Sequence, residues 1–192
     1  PRLVAENSGI PLSDTKARHR ADEGVIIMRI LLFGAGGQVG TELRVIDWGE
    51  EFELIALGRT EADLSNADNA GNAIVGKNPD LVVNASAYTA VDMAESEPDL
   101  AMAINAVAPG EMAAACSKLG IPLIHISTDY VFDGCKCGPY LESDPVCPLG
   151  AYGKSKESGE RLVRETLDQH IILRTAWVFS AHGQNFVKTM LR

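Results

Sequence analysis

The sequence predicts a doubly wound α/β fold, a parallel sheet with helices on both faces. Three observations predict it. Short apolar runs, most of them unbroken, alternate with longer segments of helical periodicity, as buried strands and their crossover helices require. The first run passes straight into a glycine-rich turn that opens a helix. The chain has 192 residues, 46% hydrophobic and 22% charged, which suits one globular domain with a sizeable core.

The elements follow in order. Residues 1–27 are polar, lack periodicity and contain Pro1, Pro11 and a charged run from Lys16 to Glu23. They are expected to be a disordered or non-native extension, with Met28 as the biological start. The domain is then 28–192. Its strands are expected at Met28–Phe33, Glu53–Leu57, Leu81–Asn84, Pro122–Ser127 and Ile171–Leu173, all but the second nearly continuous apolar runs. Helices are expected at about Gln38–Val45, Asp68–Val75, Pro98–Leu119 and Tyr152–Leu167. Pro98 suits a first helical turn, and Gly120 followed by Pro122 suits a helix end. Strands alternating with helices give right-handed crossovers, and the expected strand order is 3-2-1-4-5. The run from Phe186 to Arg192 reads as a helix in progress, so the chain is expected to be a fragment.

Bulk properties exclude several functions. A net charge of −9 argues against nucleic acid as a partner, because phosphate backbones need clustered Lys and Arg. No apolar run reaches the ~18–20 residues of a membrane helix, and no signal peptide is visible. Cys135-Lys136-Cys137 has the look of a metal or redox pair. No second Cys or His pair accompanies it, so it and Cys116 and Cys147 are read as reduced thiols of a cytoplasmic protein.

Gly34, Gly37 and Gly40 follow the first strand with the spacing G-x-x-G-x-x-G, with Gln38 and Val39 between the last two. A tight turn leaving the strand, close approach to a pyrophosphate and close helix packing all demand such glycines. The helix N-terminus then faces the anion. The older G-x-G-x-x-G fingerprint fails for want of a glycine at Val39, but the trio's place directly after a strand and opening a helix predicts a dinucleotide-binding Rossmann turn; a P-loop is excluded because G-x-x-x-x-G-K-[ST] is absent. Arg59, just after the second strand, leans towards a 2′-phosphorylated ribose and NADP(H). Glu61 and Asp63 keep NAD(H) open, and Asp63-Leu64 suits an adenine contact. Ala85-Ser86-Ala87, small residues after the third strand, would let the chain pass over the cofactor.

Tyr152 and Lys156 lie one helical turn apart on one face. An ammonium beside a phenol favours phenolate, so Lys156 is expected to lower the Tyr152 pKa for acid–base work. The Tyr-x-x-x-Lys spacing alone is common by chance. Its position after Ser127-Thr128, at the carboxyl end of a strand where such sheets bind ligands, gives it weight. His125 is expected to pack within its strand and His170 to lie at the surface.

The glycine turn together with Tyr152-Gly-Lys-Ser-Lys156 resembles the extended short-chain dehydrogenase/reductases. More narrowly, the chain resembles the dTDP-4-dehydrorhamnose reductase family. The segments that carry this are Met28 to Gly40, Tyr88-Thr-Ala-Val-Asp92, Asn105 to Gly110, Ser127-Thr-Asp-Tyr-Val-Phe-Asp-Gly134, Tyr152 to Lys156 and Arg174-Thr-Ala-Trp-Val-Phe179. The resemblance implies an NAD(P)-binding Rossmann fold whose small C-terminal substrate lobe is largely missing. It implies NADPH-dependent reduction of the 4-keto group of a dTDP-linked 6-deoxyhexulose. Tyr152 would donate the proton, Lys156 would hold the nicotinamide ribose, and Thr128 would bind the substrate oxygen. Val91, Asp92, Tyr130 and Trp177 would line the sugar site. It leaves open a homodimer and a Mg2+ requirement, with Glu42 as the candidate acid. The alternatives are a sugar-nucleotide epimerase or dehydratase and a non-catalytic NADP-binding regulatory subunit. A dehydratase would place an Asp-Glu pair after the threonine, where this chain has Asp129-Tyr130.

Overall fold

The computed structural model describes residues 27–191, so the expectation for residues 1–26 lies outside the described residues. The elements, in chain order, are β1 (Met28–Phe33), α1 (Gln38–Val45), β2 (Phe52–Leu57), α2 (Asp68–Lys77), β3 (Leu81–Asn84), α3 (Pro98–Met102), α4 (Ala108–Leu119), β4 (Leu123–Thr128), α5 (Ala151–Thr166), β5 (His170–Thr175) and α6 (Phe186–Met190). All strand pairings are parallel.

The strand order is β2-β1-β3-β4-β5, which corrects the expected 3-2-1-4-5. β3 pairs with β1, Ile30 opposite Leu81 and Phe33 opposite Asn84, and β2 is left at the edge. The physical reason lies in the side chains. Leu81-Val-Val-Asn84 is buried at three of its four positions and needs neighbours on both sides. β2 begins with exposed Phe52 and Glu53, and Glu53 pairs with Arg29 of β1 at 3.0 Å. A charged, half-exposed strand tolerates an edge.

Alternation along β1 divides the core. Leu31 and Phe33 join Val82 and Leu123 beneath Ile74 of α2, Met112 of α4 and Val163 of α5. Ile30 and Leu32 face the other way with Val83, against Leu43 of α1. Strand residues of opposite parity thus serve opposite layers.

Pro98–Leu119 runs as one continuous helix, widened into a π-helical turn at Ala103–Val107. By length and hydropathy this 22-residue stretch qualifies as a membrane span, against the expectation from apolar runs. It carries Asp99, Glu111 and Lys118, and its Ala101, Met112 and Cys116 are fully buried inside the protein. The π turn has a local cause. Pro109 lacks an N–H for the Asn105 carbonyl four residues earlier, which loosens the ladder. That carbonyl meets Gly159 of α5 so closely that a Cβ at Gly159 would sit 2.0 Å from it.

Gly159→Ala is therefore expected to force α5 away from the π turn, at a cost of about 3 kcal/mol, high in the range for overpacking. Thermal unfolding checks this; a melting temperature equal to the parent's would show that the two helices separate freely.

Candidate active site

One cavity of about 890 Å³ lies across the carboxyl ends of β1, β3 and β4. Its floor is backbone. Gly34 has φ +85°, and a Cβ there would sit 2.6 Å from the Ala85 carbonyl carbon. Gly40 packs under the turn, where a Cβ would lie 2.1 Å from the Gly34 oxygen. Gly37 differs: its Cβ position meets only the Gly34 oxygen at 3.4 Å and the Ala85 oxygen at 4.0 Å, with open cavity otherwise. Gly37 stands at the N-terminus of α1 without a side-chain cap. The first amides of α1 have no preceding carbonyl to bond, so the cavity offers an anion the positive end of a helix.

At the far end of β2, Arg59 reaches the cavity with its side chain 74% exposed, 4.0 Å from Asp63. Glu61 is turned away, accepting from the Gly58 N–H at 2.9 Å. Asp63 accepts from the Ser65 N–H, which holds its carboxyl below the usual value. Both acids are thus engaged by their own turn. On the opposite wall, Asn84 fixes the passage Ala85–Ala87: its Oδ1 accepts from the Ser86 N–H at 3.0 Å and from the Ser86 hydroxyl. Its Nδ2 lies 3.0 Å from His125 Nδ1. His125 is fully buried, and burial with the neighbouring Lys156 charge keeps it far below 6.5 and neutral. His170, by contrast, sits half-buried at the start of β5, its Nδ1 against the Leu167 carbonyl.

The chemical wall is built by β4 and α5. Thr128 ends β4, accepts from the Tyr130 N–H and donates to Asp129, each at 3.2 Å. Tyr152 lies in the first turn of α5, edge-on to the Tyr130 ring at 5.5 Å. Burial pushes its phenol above 10; the Thr128 hydroxyl pulls the other way, and Asp129 and Tyr130 add to the rise. The expected lowering by Lys156 is therefore corrected. Lys156 Nζ donates to the Ile126 carbonyl at 2.7 Å and is only 1% exposed, so its charge is held at the sheet. A raised value keeps the phenol protonated at neutral pH, as a proton donor requires.

Lys156 is itself perturbed. Burial pulls it from 10.5 to about 8, against the opposing charge of Glu160. Glu160 is fully buried. It accepts from Arg174 of β5 through two nitrogens, at 2.9 and 2.6 Å, and from Arg164 at 2.9 Å. Burial alone would raise its carboxyl, but these arginines and the nearby Ser127 outweigh that and lower it. The Ser127 hydroxyl itself completes no hydrogen bond of good geometry among the described residues.

The cavity gathers every position expected to hold cofactor or sugar except Gly40, packed beneath it, and Asp92. Asp92 points to solvent, its carbonyl accepting from the Glu95 N–H at 3.3 Å to start a 3₁₀ turn. Trp177, at φ +54°, is 73% exposed at the rim, edge-on to Phe186. Sequence reasoning missed the segment Gly183–Asn185, which closes one side of the cavity. Asn185 Nδ2 donates to Gln38 Oε1 at 3.0 Å, and Gln38 Nε2 donates to the Gln184 carbonyl at 3.2 Å. It also missed Glu160 and Asn105.

Comparison with known proteins places this geometry. The family model described as the RmlD substrate binding domain matches residues 28–192. The chain belongs to that family. A dTDP-4-dehydrorhamnose reductase of Burkholderia thailandensis is 48% identical over 165 residues, covering 86% of this chain and 55% of the relative. A solved dTDP-4-dehydrorhamnose reductase of Clostridium acetobutylicum is similar at a TM-score of 0.81 and 42% identity, over 85% of this chain and 58% of that one. The Bacillus anthracis enzyme of that name, solved in complex with NADP, is similar at 0.82 and 36% identity, over 86% of this chain and 59% of that one. The chain spans just over half the length of the curated relatives it matches.

Stability should register the buried ammonium. Between pH 8 and 10.5 the unfolded chain holds the Lys156 proton and the folded chain does not, so stability rises with pH across that window. Below it the buried charge costs about 3 kcal/mol. Lys156→Met is expected to melt higher than the parent at pH 7, with an advantage that shrinks towards pH 10.5. Thermal unfolding at a series of pH values checks it; a variant that melts lower at pH 7 would mean that the hydrogen bond to Ile126 outweighs the burial cost.

Proposed function

We propose that this chain is the cofactor-binding and proton-donating part of a dTDP-4-dehydrorhamnose reductase. The observation that carries the reading is the convergence of Thr128, Tyr152 and Lys156 on the cavity whose floor is the glycine turn. The high identity to reductases of that name supports it.

The cavity fits a dinucleotide on its own features: a glycine floor that a Cβ would block, a helix N-terminus, and an exposed arginine at the ribose end. Gly34, Gly37, Gln38 and Val39 would hold the pyrophosphate, and Arg59 a ribose 2′-phosphate. Asp63 and Leu64 would flank the adenine, and Ala85–Ala87 would cover the dinucleotide. NADPH, when bound, supplies the hydride for the keto carbon. The chain's own residues do the rest. Tyr152 gives its phenolic proton to the carbonyl oxygen as that oxygen gains charge. Thr128 offers a hydroxyl to the same oxygen. Lys156 holds the ribose beside them, its ammonium kept charged by Glu160. Val91, Tyr130 and Trp177 would contact the sugar. Tyr130 stands where a dehydratase would carry its extra acid, which favours the reductase over that alternative. Glu42 faces His182 at 3.8 Å, and no group of three potential metal ligands forms among the described residues. A cytoplasmic setting belongs to the same proposal, supported by the exposed free thiols of Cys135, Cys137 and Cys147.

The test is turnover by the full-length protein. Tyr152→Phe keeps the ring and removes the proton, and is expected to lower kcat by ~10²–10⁴-fold with NADPH affinity little changed. Keto-sugar reduction at the parent's rate by this variant would overturn the mechanism. NADPH binding without any turnover in the parent would favour a regulatory subunit.

Cofactor choice gives a separate outcome. With Glu61 held at Gly58, a charge-assisted contact from Arg59 to a 2′-phosphate should favour NADPH over NADH by roughly ten- to a hundredfold. Arg59→Ala is expected to lose that preference while keeping NADH binding, measured by titration with both cofactors. An unchanged ratio would leave Arg59 without a role in binding.

A further inference from the structure

Helix α5, which carries Tyr152 and Lys156, begins without a cap of its own. Gly150 holds the N-cap position with φ −99° and ψ 171° and has no side chain to accept a first-turn amide. The acceptor comes from elsewhere in the chain. Glu95 Oε1 receives the Ala151 N–H at 2.6 Å, and a Cβ on Gly150 would lie 2.7 Å from that same oxygen. Glycine at 150 thus makes room for a carboxylate 56 residues before Ala151 in sequence.

Glu95 ends the 3₁₀ turn Met93–Glu95, directly after the cavity-lining residues Tyr88–Val91. Its neighbour Ala94 is fully buried against Tyr152 and Ala101. The Ala94 N–H returns to the Ala90 carbonyl at 3.0 Å, so the turn and the cavity wall share backbone hydrogen bonds. The other end of the wall is also tied: Asn105 binds both main-chain groups of Tyr88 and donates to Ser155 of α5. The segment from Tyr88 to Glu95 is therefore fastened to α5 on either side of Tyr152.

We propose that Glu95 is a positioning residue, whose carboxylate both caps α5 and locks the Tyr88–Val91 wall to the helix that presents Tyr152. A carboxylate at a helix N-terminus suits the helix dipole as well as the orphan amide. Capping alone would need only local chemistry, since serine or aspartate at position 150 would serve. Recruiting the cap from the cavity wall fixes the wall's distance to the phenol. The inference rests on Tyr152 being the proton donor.

The experiment separates cap from tether. In the full-length protein, Glu95→Ala is expected to lower kcat roughly tenfold, the effect of one charge-assisted capping bond, with NADPH affinity within about twofold. Glu95→Gln keeps a neutral acceptor and is expected to retain most of kcat. The decisive variant is Glu95→Ala combined with Gly150→Ser. Nothing but the Glu95 side chain lies within 4 Å of the Gly150 Cβ position, so the serine fits once the carboxylate is gone and supplies a local cap. This double variant is expected to recover the melting temperature but not kcat. Recovery of kcat would reduce Glu95 to a cap and overturn the tether, as would an unchanged kcat in Glu95→Ala. Amide hydrogen exchange reads the tether without turnover. Residues 88–95 should exchange faster in the double variant than in the parent while the first turn of α5 stays protected. Equal exchange in residues 88–95 overturns the proposal whether or not the parent reduces the keto sugar.

Discussion

The site depends on one buried amide. Asn105 is 1% exposed, and its side chain makes three hydrogen bonds: it accepts from the Tyr88 N–H, donates to the Tyr88 carbonyl and donates to the Ser155 hydroxyl. A buried amide with one partner removed keeps the full cost of the groups left behind, so the three segments hold or fail together. The Ser155 hydroxyl continues the chain to the Tyr152 carbonyl at 2.7 Å. The reach of Asn105 also depends on its backbone. Pro109 frees the Asn105 carbonyl, the helix widens to a π turn, and Gly159 lets α5 close on it. A loop of the cavity, a core helix and the helix that carries Tyr152 thus meet at a single side chain.

Around that frame the electrostatics run against stability. An ammonium at 1% exposure is a poor choice for a core, and its pKa near 8 records the strain. The fold answers with Glu160 one turn away, itself held by Arg174 and Arg164 so that its charge survives burial. His125 contributes by staying neutral: a second cation beside Lys156 would push the ammonium further towards deprotonation. Fully buried groups of this kind break the rule that charges belong outside. Their grouping beneath one cavity is what a site that selects for chemistry over stability predicts.

The alternation of apolar runs and helical stretches was enough to locate the strands and helices, since each is a local property of a short window. Strand order is not local. It depended on reading Glu53 as the mark of an edge strand and Leu81-Val-Val-Asn84 as a centre strand, a signal present in the composition of the runs. The glycine turn and the Tyr152/Lys156 pair were visible because their spacing is fixed by one turn or one helix. Glu160 was hidden because a glutamate four residues after a lysine reads as an exposed helical pair. Its real partner, Arg174, arrives on a strand 14 residues later. Gly183–Asn185 shows no periodicity at all, and only packing against Gln38 brings it to the cavity. The phenol's raised pKa was missed for a similar reason: spacing places Lys156 near Tyr152, but only the fold reveals that the ammonium turns to Ile126.

The two ends of the cavity are made differently, and under the proposed function this bears on how one fold would handle different sugars. The end at the glycine turn is backbone: Gly34 against Ala85, Gly40 under Gly34, and helix amides behind them. Few substitutions are possible there without moving the sheet. The other end is side chains, with Trp177 and Tyr130 exposed at 73% and 53%. Trp177 is held in a left-handed conformation that only its surroundings can maintain. Side chains at a rim can change without disturbing strands or helices. The glycine turn and Tyr152, fixed by backbone and by the Asn105 clamp, would survive such changes. On the proposed reading, sugar selectivity would vary on this frame while hydride and proton transfer kept their geometry, which is how a shared fold comes to host different substrates.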